Sequence, residues 1–303
     1  MRKINYLWKT SLVTVLIGSI ISCSRQSSQQ EDHKTDREYH KITIAIEEGC
    51  NAGQQAATRE IIGKRIASYY QVKEIGELKN GQFDLICFGD DSLSSALSLF
   101  TQRGEMYIAE TYLNQEILSM FDIYEKFPEL TNLYEKLTDP ISYPLEYEPV
   151  VLRVPLEKVP YIDSIFNSNK NLLPQGAVFY WTEKPHNRYY ELIAVKLNPA
   201  EIVPLNPNTV KECTIEKNRN TGEEIFMELK EQYHKQWEDL TRKNIGRSLA
   251  IILDEKVLFY PVVSSEITDG RSMIAGNFGH KELLLLQSFI TNGVLDCEAR
   301  IVK

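Results

Sequence analysis

The last sixty residues, 244–303, constrain the fold more than any other stretch, because apolar runs and turn residues alternate throughout them. Asp254, Glu255 and Lys256 separate two runs rich in β-branched and aromatic residues, and this pattern predicts a β-hairpin. Leucines at helical spacing and a glycine at a helix end follow it. The predicted elements are two hairpin strands, a third strand, a helix and a closing strand, at 249–253, 257–263, 271–275, 280–292 and 298–302. We expect them to pack together as one unit.

The segment 41–112 shows a second regular order of elements. The predicted elements are strand, helix, strand, strand, helix and strand, at 41–46, 55–70, 72–78, 83–88, 91–101 and 105–112. Asn80 and Gly81 form a good turn between the two central strands. This βαββαβ order predicts a ferredoxin-like base subdomain.

Residues 113–149 are predicted to connect this base to a larger second subdomain. They are helical and rich in aromatics up to residue 137, and prolines then mark a linker where a hinge is a further hypothesis. Residues 150–303 form the predicted α+β head subdomain. Its further elements are a strand, a short helix, two paired strands, a hairpin and a helix, at 150–154, 161–167, 177–182, 189–197, 210–215, 224–228 and 229–240. The predicted class is therefore α+β, a base followed by a larger head, and the last strand is free to return to the base.

The N-terminus has the parts of a secretory signal: positive residues at 2, 3 and 9, an apolar run at 12–21, and a small residue before Cys23. The ending Ile20-Ile21-Ser22-Cys23 resembles the lipobox of bacterial lipoproteins. That resemblance implies a signal peptide at 1–22, lipid attachment to Cys23 and anchoring in a membrane. A plain signal anchor with an incidental cysteine is the alternative. The polar residues 23–40 predict a disordered tether.

Residues 244–303 also carry a family resemblance. The string N-I-G-R…A-I-x-L-D-x-K-V…P-V-V…E-I-x-x-G-R-S-x-I-x-G-N-F resembles the first periplasmic domain of SecD and SecDF, the protein-export membrane proteins of the Sec translocon. Glu255 stands where that family usually has glycine, and Asp296-Cys297 replace a common Pro-Ala. The resemblance implies a base and a head subdomain and contact with a translocating polypeptide or Sec components. No second apolar stretch is long enough to span a bilayer, so we expect no transmembrane bundle and no proton-driven motor.

The sequence offers little support for catalysis, metal binding or nucleic-acid binding. The formal net charge is −8, and no basic cluster is present to neutralise phosphates. No nucleophile elbow, phosphate loop, H-E-x-x-H or C-x-x-C motif occurs, so we predict a protein without catalytic residues, cofactor or metal. The cysteines after Cys23, at 50, 87, 213 and 297, permit a disulfide, but the sequence does not say which pair.

Aromatic strand residues are the candidates for binding. Tyr180 and Trp181 lie in one predicted strand, and Phe259 and Tyr260 lie in another. An apolar groove beside a sheet edge suits an extended polypeptide, although core packing is the alternative for each ring. The sequence thus predicts a non-catalytic, lipid-anchored bacterial envelope protein that binds polypeptide in connection with protein export. It would face the periplasm from the inner or outer membrane, or lie on the cell surface. A surface lipoprotein that binds glycan or peptide, and a structural accessory of an envelope complex, are the alternatives.

Overall fold

The computed structural model describes residues 39–88, 97–121, 148–169, 171, 173, 175–218, 222–276 and 278–302. Three sequence predictions fall outside these residues: the signal peptide with Cys23 and the tether up to residue 38, the start of the second helix, and the connector at 122–147 with its hinge. None of the described helices combines the length and the apolar content that spanning a bilayer requires.

The described elements are mixed helices and strands, which confirms the predicted α+β class. The strands are β1 (Tyr39–Ile46), β2 (Gln71–Ile75), β3 (Gln82–Phe88), β4 (Met106–Glu110), β5 (Val150–Val154), β6 (Ala177–Trp181), β7 (Tyr190–Lys196), β8 (Val203–Pro204), β9 (Val210–Asn218), β10 (Gly222–Leu229), β11 (Leu249–Leu253), β12 (Lys256–Phe259), β13 (Arg271–Ile274) and β14 (Ala299–Ile301). The helices are α1 (Ala52–Ala67), α2 (Leu97–Thr101), α3 (Asn114–Phe121), α4 (Val159–Ser168), α5 (His234–Lys243) and α6 (His280–Asn292). The 3-10 turns Leu156–Lys158 and Glu231–Tyr233 lead into α4 and α5.

Local chemistry explains several element boundaries. Asn51 and Gln54 form a reciprocal capping box that starts α1. Asp254 and Glu255 form the two-residue turn between β11 and β12, with φ angles of 45° and 63°. Positive φ at both central residues is what a tight hairpin turn of this length requires.

The strands form four small sheets in the described part of the chain. Their strand orders are β14-β1-β3-β2, β13-β10-β9, β12-β11-β4-β8 and β5-β7-β6. Every pair of named strands within them is antiparallel.

The predicted chain-continuous βαββαβ base is wrong in its last strand. Residues 105–112 do contain a strand, β4, but it pairs with β11 along Glu110↔Leu249 to Met106↔Leu253 and so belongs to another sheet. β14 lies at the edge of the first sheet instead, where Ile44 faces Ile301 and Ile46 faces Ala299. Both faces of β4 are apolar and largely buried, and a strand of that kind fits between two partners better than at an edge.

The expectation that residues 244–303 pack as one unit holds for most of the segment and is wrong for its last strand. The predicted elements are present, α6 has the predicted bounds, and β11, β13 and α6 share the largest apolar cluster. β14 packs in another cluster, and the strands join three different sheets: the hairpin β11–β12 pairs with β4, β13 pairs with β10, and β14 pairs with β1. β13 and β14 have no strand partner within the segment, so distant strands supply their hydrogen bonds.

Isolated bridges link two of the sheets into a ring. Thr111 pairs with Val195, which joins β4 to β7, and Thr182 pairs with Val257, which joins β6 to β12. The backbone N–H of Tyr112 donates to the carbonyl of Ala194 at 2.9 Å, and that of Glu183 donates to Val257 at 2.9 Å. The ring encloses a small apolar cluster made by Ala109, Val150, Ile193, Val195, Ala250, Ile252 and Val257.

Arg65 joins the first sheet's helix to two distant turns. Its side chain is fully buried and donates to the carbonyls of Gln102 at 2.8 Å, Arg103 at 2.8 Å and Gly293 at 2.5 Å. The guanidinium also lies over the ring of Phe289, 4.7 Å from its centroid. Burial lowers the pKa of Arg65 to about 10. A buried cation is tolerated here because carbonyl oxygens replace its water.

One disulfide resolves the cysteine pairing that the sequence left open. Cys50 and Cys297 are bonded across 247 residues of chain, and they tie the loop before α1 to the residues before β14. Cys87 and Cys213 are buried free thiols. Burial raises the pKa of Cys213 to about 12, so this thiol stays protonated and unreactive at neutral pH.

Candidate functional site

A cleft of about 530 Å³ runs along β6 and is called the β6 cleft below. Its walls include residues of α4, of β6, of the loop between them and of the β11–β12 turn, namely Asp163, Phe166, Leu173, Phe179, Tyr180 and Glu255. β6 is the outer strand of its sheet, and its outer edge is bridged to β12 at Thr182. The cleft lies beside the part of this edge that precedes Thr182. Aromatic and aliphatic side chains line it, with carboxylates of Asp163 and Glu255 among them.

Tyr180 is the sequence candidate that lines the β6 cleft. It is half-buried, and its hydroxyl lies 3.5 Å from that of Tyr107, too far for a strong hydrogen bond. Burial raises the pKa of both tyrosines, so both hydroxyls stay protonated at neutral pH. Tyr180 can therefore offer a ring face and a hydrogen-bond donor to a molecule in the cleft.

Trp181 lies on the opposite face of β6, as strand alternation requires. Only 5% of it is exposed, and its Nε1 donates to Asp163 Oδ1 at 2.7 Å. It packs in the apolar cluster between α4, β5 and β7. Trp181 therefore lies on the face of β6 that α4 covers and helps to hold this helix on the strand.

Phe259 and Tyr260 are half-buried and occupy other surroundings. The ring of Phe259 packs edge-on against Phe278, with centroids 5.4 Å apart, beside the largest apolar cluster. The Tyr260 hydroxyl donates to Glu191 Oε2 at 2.6 Å, and Glu191 Oε1 accepts from Arg153 Nε at 2.8 Å. Burial, followed by the bond to Glu191, raises the pKa of Tyr260. The four sequence candidates do not form one exposed aromatic surface.

The sequence reasoning missed the wall of the β6 cleft opposite Tyr180. Phe166 lies on α4 with its ring centroid 5.1 Å from that of Phe179. The apolar spacing of Ile162, Ile165 and Phe166 predicts a helix face, but it does not say which strand that face covers. Only the packing of α4 on β6 creates the cleft.

The described residues contain no group of three or more His, Cys, Asp or Glu side chains placed to hold a metal ion. The buried carboxylate of Glu110 is held by neighbouring side chains instead. Its Oε1 accepts from Asn244 Nδ2 at 2.7 Å and lies 3.1 Å from Lys243 Nζ. Lys196 Nζ lies 3.6 Å from its Oε2.

Comparison with known proteins gives a consistent set of matches. Residues 195–297 match the family described as SecDF, P1 head subdomain. The chain is 32% identical over 101 residues to the protein translocase subunit SecD of Leptotrichia buccalis. This alignment covers 33% of this chain and 25% of that protein. It is 30% identical over 146 residues to the SecD subunit of Endomicrobium trichonymphae. This alignment covers 46% of this chain and 28% of that protein. The chain thus spans about a quarter of the length of these curated relatives.

A solved structure is similar over a larger part of the chain. The crystal structure of SecDF in a super-membrane-facing form superposes with a TM-score of 0.52 and 17% identity, covering 87% of this chain and 29% of that one. At this level of identity the likeness concerns the fold alone. It extends the match beyond residues 195–297 to the described helices and sheets before them.

Proposed function

We propose, from the premise that this chain carries a SecD/SecDF-type periplasmic domain, that it is a non-catalytic envelope protein that binds polypeptide in connection with protein export. The relatives named as protein translocase subunits support a role connected with translocation. Sec components and translocating chains are the proposed partners. No catalytic group enters the proposal, because binding of an extended chain needs shape and hydrogen bonds alone.

The β6 cleft is the observation that carries the proposal. An extended chain presents side chains alternately to two sides, and a groove beside a strand edge can receive every second one. The cleft offers the rings of Phe166 and Phe179 and the hydroxyl of Tyr180 in a volume of about 530 Å³. Trp181, Phe259 and Tyr260 serve in this proposal as the packed support that holds β6 and the ring of strands in place.

The proposed location is the periplasmic side of a bacterial envelope, with the chain anchored by lipid on Cys23 in the inner or outer membrane or at the cell surface. The lipobox-like ending of residues 20–23 supports the anchor. The bond between Cys50 and Cys297 supports the compartment, because disulfides form and persist where the surroundings are oxidising.

Photo-crosslinking in cells tests this function. A photoreactive phenylalanine analogue replaces Tyr180 in the β6 cleft, and the same analogue replaces Tyr39 as the matched control. Tyr39 is an aromatic residue of the first sheet that is 64% exposed. We expect position 180 to yield adducts with many different secreted polypeptides, and position 39 to yield none above background. Recovery of sugars, or of one fixed partner without secreted chains, contradicts the proposal.

A further inference from the structure

A second groove, called the β13 groove below, opens at the margin of the largest apolar cluster. It has a volume of about 270 Å³ and lies between β13, the segment 261–267 and α5. Its floor consists of core side chains from two facing sheets, among them Met227 and Ile251. The two sheets therefore part at this edge without closing over the core.

The edge of β13 beside the groove has unused backbone groups. β13 is the outer strand in the order β13-β10-β9. The N–H of Leu229 donates to the carbonyl of Gly270 at 3.0 Å, which fixes the alternation of bonded and non-bonded pairs along β10 and β13. Met273, opposite Phe226, falls in a non-bonded pair, so its N–H and C=O point away from β10. They have no hydrogen-bond partner in the described part of the chain.

Two side-chain polar atoms in the groove wall also lack partners. Trp237 is 5% exposed, and its Nε1 is buried without a hydrogen bond to any described residue. The same is true of Ser272 Oγ, whose side chain is on the face of β13 that packs on the core. An indole N–H can only donate, so a ligand that completes this wall must bring an acceptor.

The rim of the groove combines exposed apolar side chains with the serines 264 and 265, and its nearest ionic residues are paired. Val262 is 62% exposed and Met273 is 58% exposed. Arg271 Nε lies 3.1 Å from Glu228 Oε2, and Arg242 Nε lies 2.7 Å from Glu266 Oε2. Because these charges are already paired, the groove is complementary to an uncharged, apolar segment.

We propose that an extended polypeptide with apolar side chains adds to β13 as a fourth strand of the β13-β10-β9 sheet. Its backbone would pair with the N–H and C=O of Met273, and its inward side chains would fill the β13 groove. A polypeptide backbone repeats a donor and an acceptor at the spacing of a strand, whereas an acyl chain supplies neither and the hydroxyls of a sugar do not repeat at that spacing. This inference rests on the proposed polypeptide-binding function and assigns it a second site, separate from the β6 cleft.

Fluorescence anisotropy with a defined probe tests the inference. The probe is a fluorescein-labelled decapeptide of alternating valine and threonine. It is compared with two N-methylated versions of the same peptide, one methylated at the odd-numbered amides and the other at the even-numbered amides. Met273→Pro removes the outward N–H while leaving the bonds to β10, because proline is tolerated where the N–H faces away from the partner strand. Met273→Val is the matched control, since it keeps the N–H and an apolar side chain. Ser272→Ile fills the groove without touching the backbone edge.

We expect the probe to bind the unchanged protein, Met273→Pro and Ser272→Ile each to weaken binding at least tenfold, and Met273→Val to stay within twofold. One phase of N-methylation is expected to abolish binding. Unfolding curves check that each variant is folded under the conditions of the binding assay, so that a loss of binding is not a loss of folding. Equal binding by Met273→Pro, equal binding by both methylated peptides, or no binding of the probe overturns the inference. If cellular crosslinks from position 180 persist in Met273→Pro, the polypeptide-binding function stands even where this site fails.

Discussion

Loss of the Cys50–Cys297 disulfide should destabilise the first sheet. The bond joins the loop before α1 to the segment before β14. β14 is a three-residue strand with one partner, β1. Such a short edge strand has few hydrogen bonds of its own, so its place in the first sheet depends on what holds its ends. Cys50→Ala removes the crosslink at the less buried of the two cysteines.

The size of the effect follows from the separation of the two cysteines. For a closed loop of 247 residues, the chain-entropy relation gives about 5.5 kcal/mol at 25 °C. Measured values for single disulfides usually fall lower, at about 2–4 kcal/mol, because reduced chains keep some structure. A loss in this range corresponds to a fall in Tm of roughly 5–15 °C for a domain of this size.

Urea unfolding measures this loss directly, with and without reductant. We expect the unchanged protein to lose at least about 2 kcal/mol on reduction, and Cys50→Ala to be equally unstable in both conditions. The insensitivity of Cys50→Ala to reductant is the control, since Cys87 and Cys213 remain present as buried thiols. A loss below about 1 kcal/mol on reduction would refute the reasoning that this link restricts the unfolded chain.

Three further changes test other parts of the structure. Arg65→Met should destabilise the fold by about 3 kcal/mol or more, because three buried carbonyls lose their donor; a urea midpoint equal to that of the unchanged protein contradicts this. Glu255→Gly should stabilise the fold by about 0.5–1 kcal/mol. A φ of 63° strains a non-glycine residue, and relief of this strain should exceed the entropy that glycine adds to the unfolded chain. A lower Tm in calorimetry contradicts this expectation. At Glu116 burial raises the pKa, but hydrogen bonds from Arg247 and from the N–H of Leu113 outweigh it and the pKa is lowered. The stability that this ion contributes is present above the unfolded pKa and is lost as pH falls through the folded one. Glu116→Gln should therefore reduce the difference in unfolding free energy between pH 7 and pH 3 by about 1 kcal/mol. The expectation is contradicted if the urea midpoints at pH 7 and pH 3 differ as much in the variant as in the unchanged protein.

Local order was predictable from the sequence wherever one element could be recognised from its own residues. The leucine spacing predicts α6 with both bounds, and the Asp254-Glu255 turn predicts the hairpin β11–β12. The partner of each strand was not predictable in the same way. β4 has the composition of a buried strand in either sheet, and only the distant strand β11 decides which one it joins.

The candidate site was predictable to a similar extent. The alternation of Tyr180 and Trp181 placed their rings on opposite faces of one strand, and they do pack in different apolar clusters. Alternation carries no information about which face another element covers. α4, from the preceding stretch of chain, covers the Trp181 face. The half-buried Tyr180 packs against a cluster to which β4, β11 and β12, distant in sequence, contribute.

Two strands join parts of the structure that lie far apart along the chain. β14 lies in the first sheet with β1, whereas β4 pairs with β11 in another sheet. Arg65 of α1 binds the carbonyls at 102, 103 and 293 on the segments that lead into β4 and β14. Asp254 accepts from the N–H groups of Gly104 at 2.9 Å and Glu105 at 2.8 Å, at the start of β4. Gly104 has a φ of 78°, and a Cβ there would lie 2.2 Å from Arg65 Nη2, so a residue with a side chain does not fit in this turn beside Arg65. The hinge predicted within residues 138–149 lies outside the described residues and stays a prediction. A movement that separates the first sheet from β4 would have to break the hydrogen bonds from Arg65 to the carbonyls of Gln102 and Arg103.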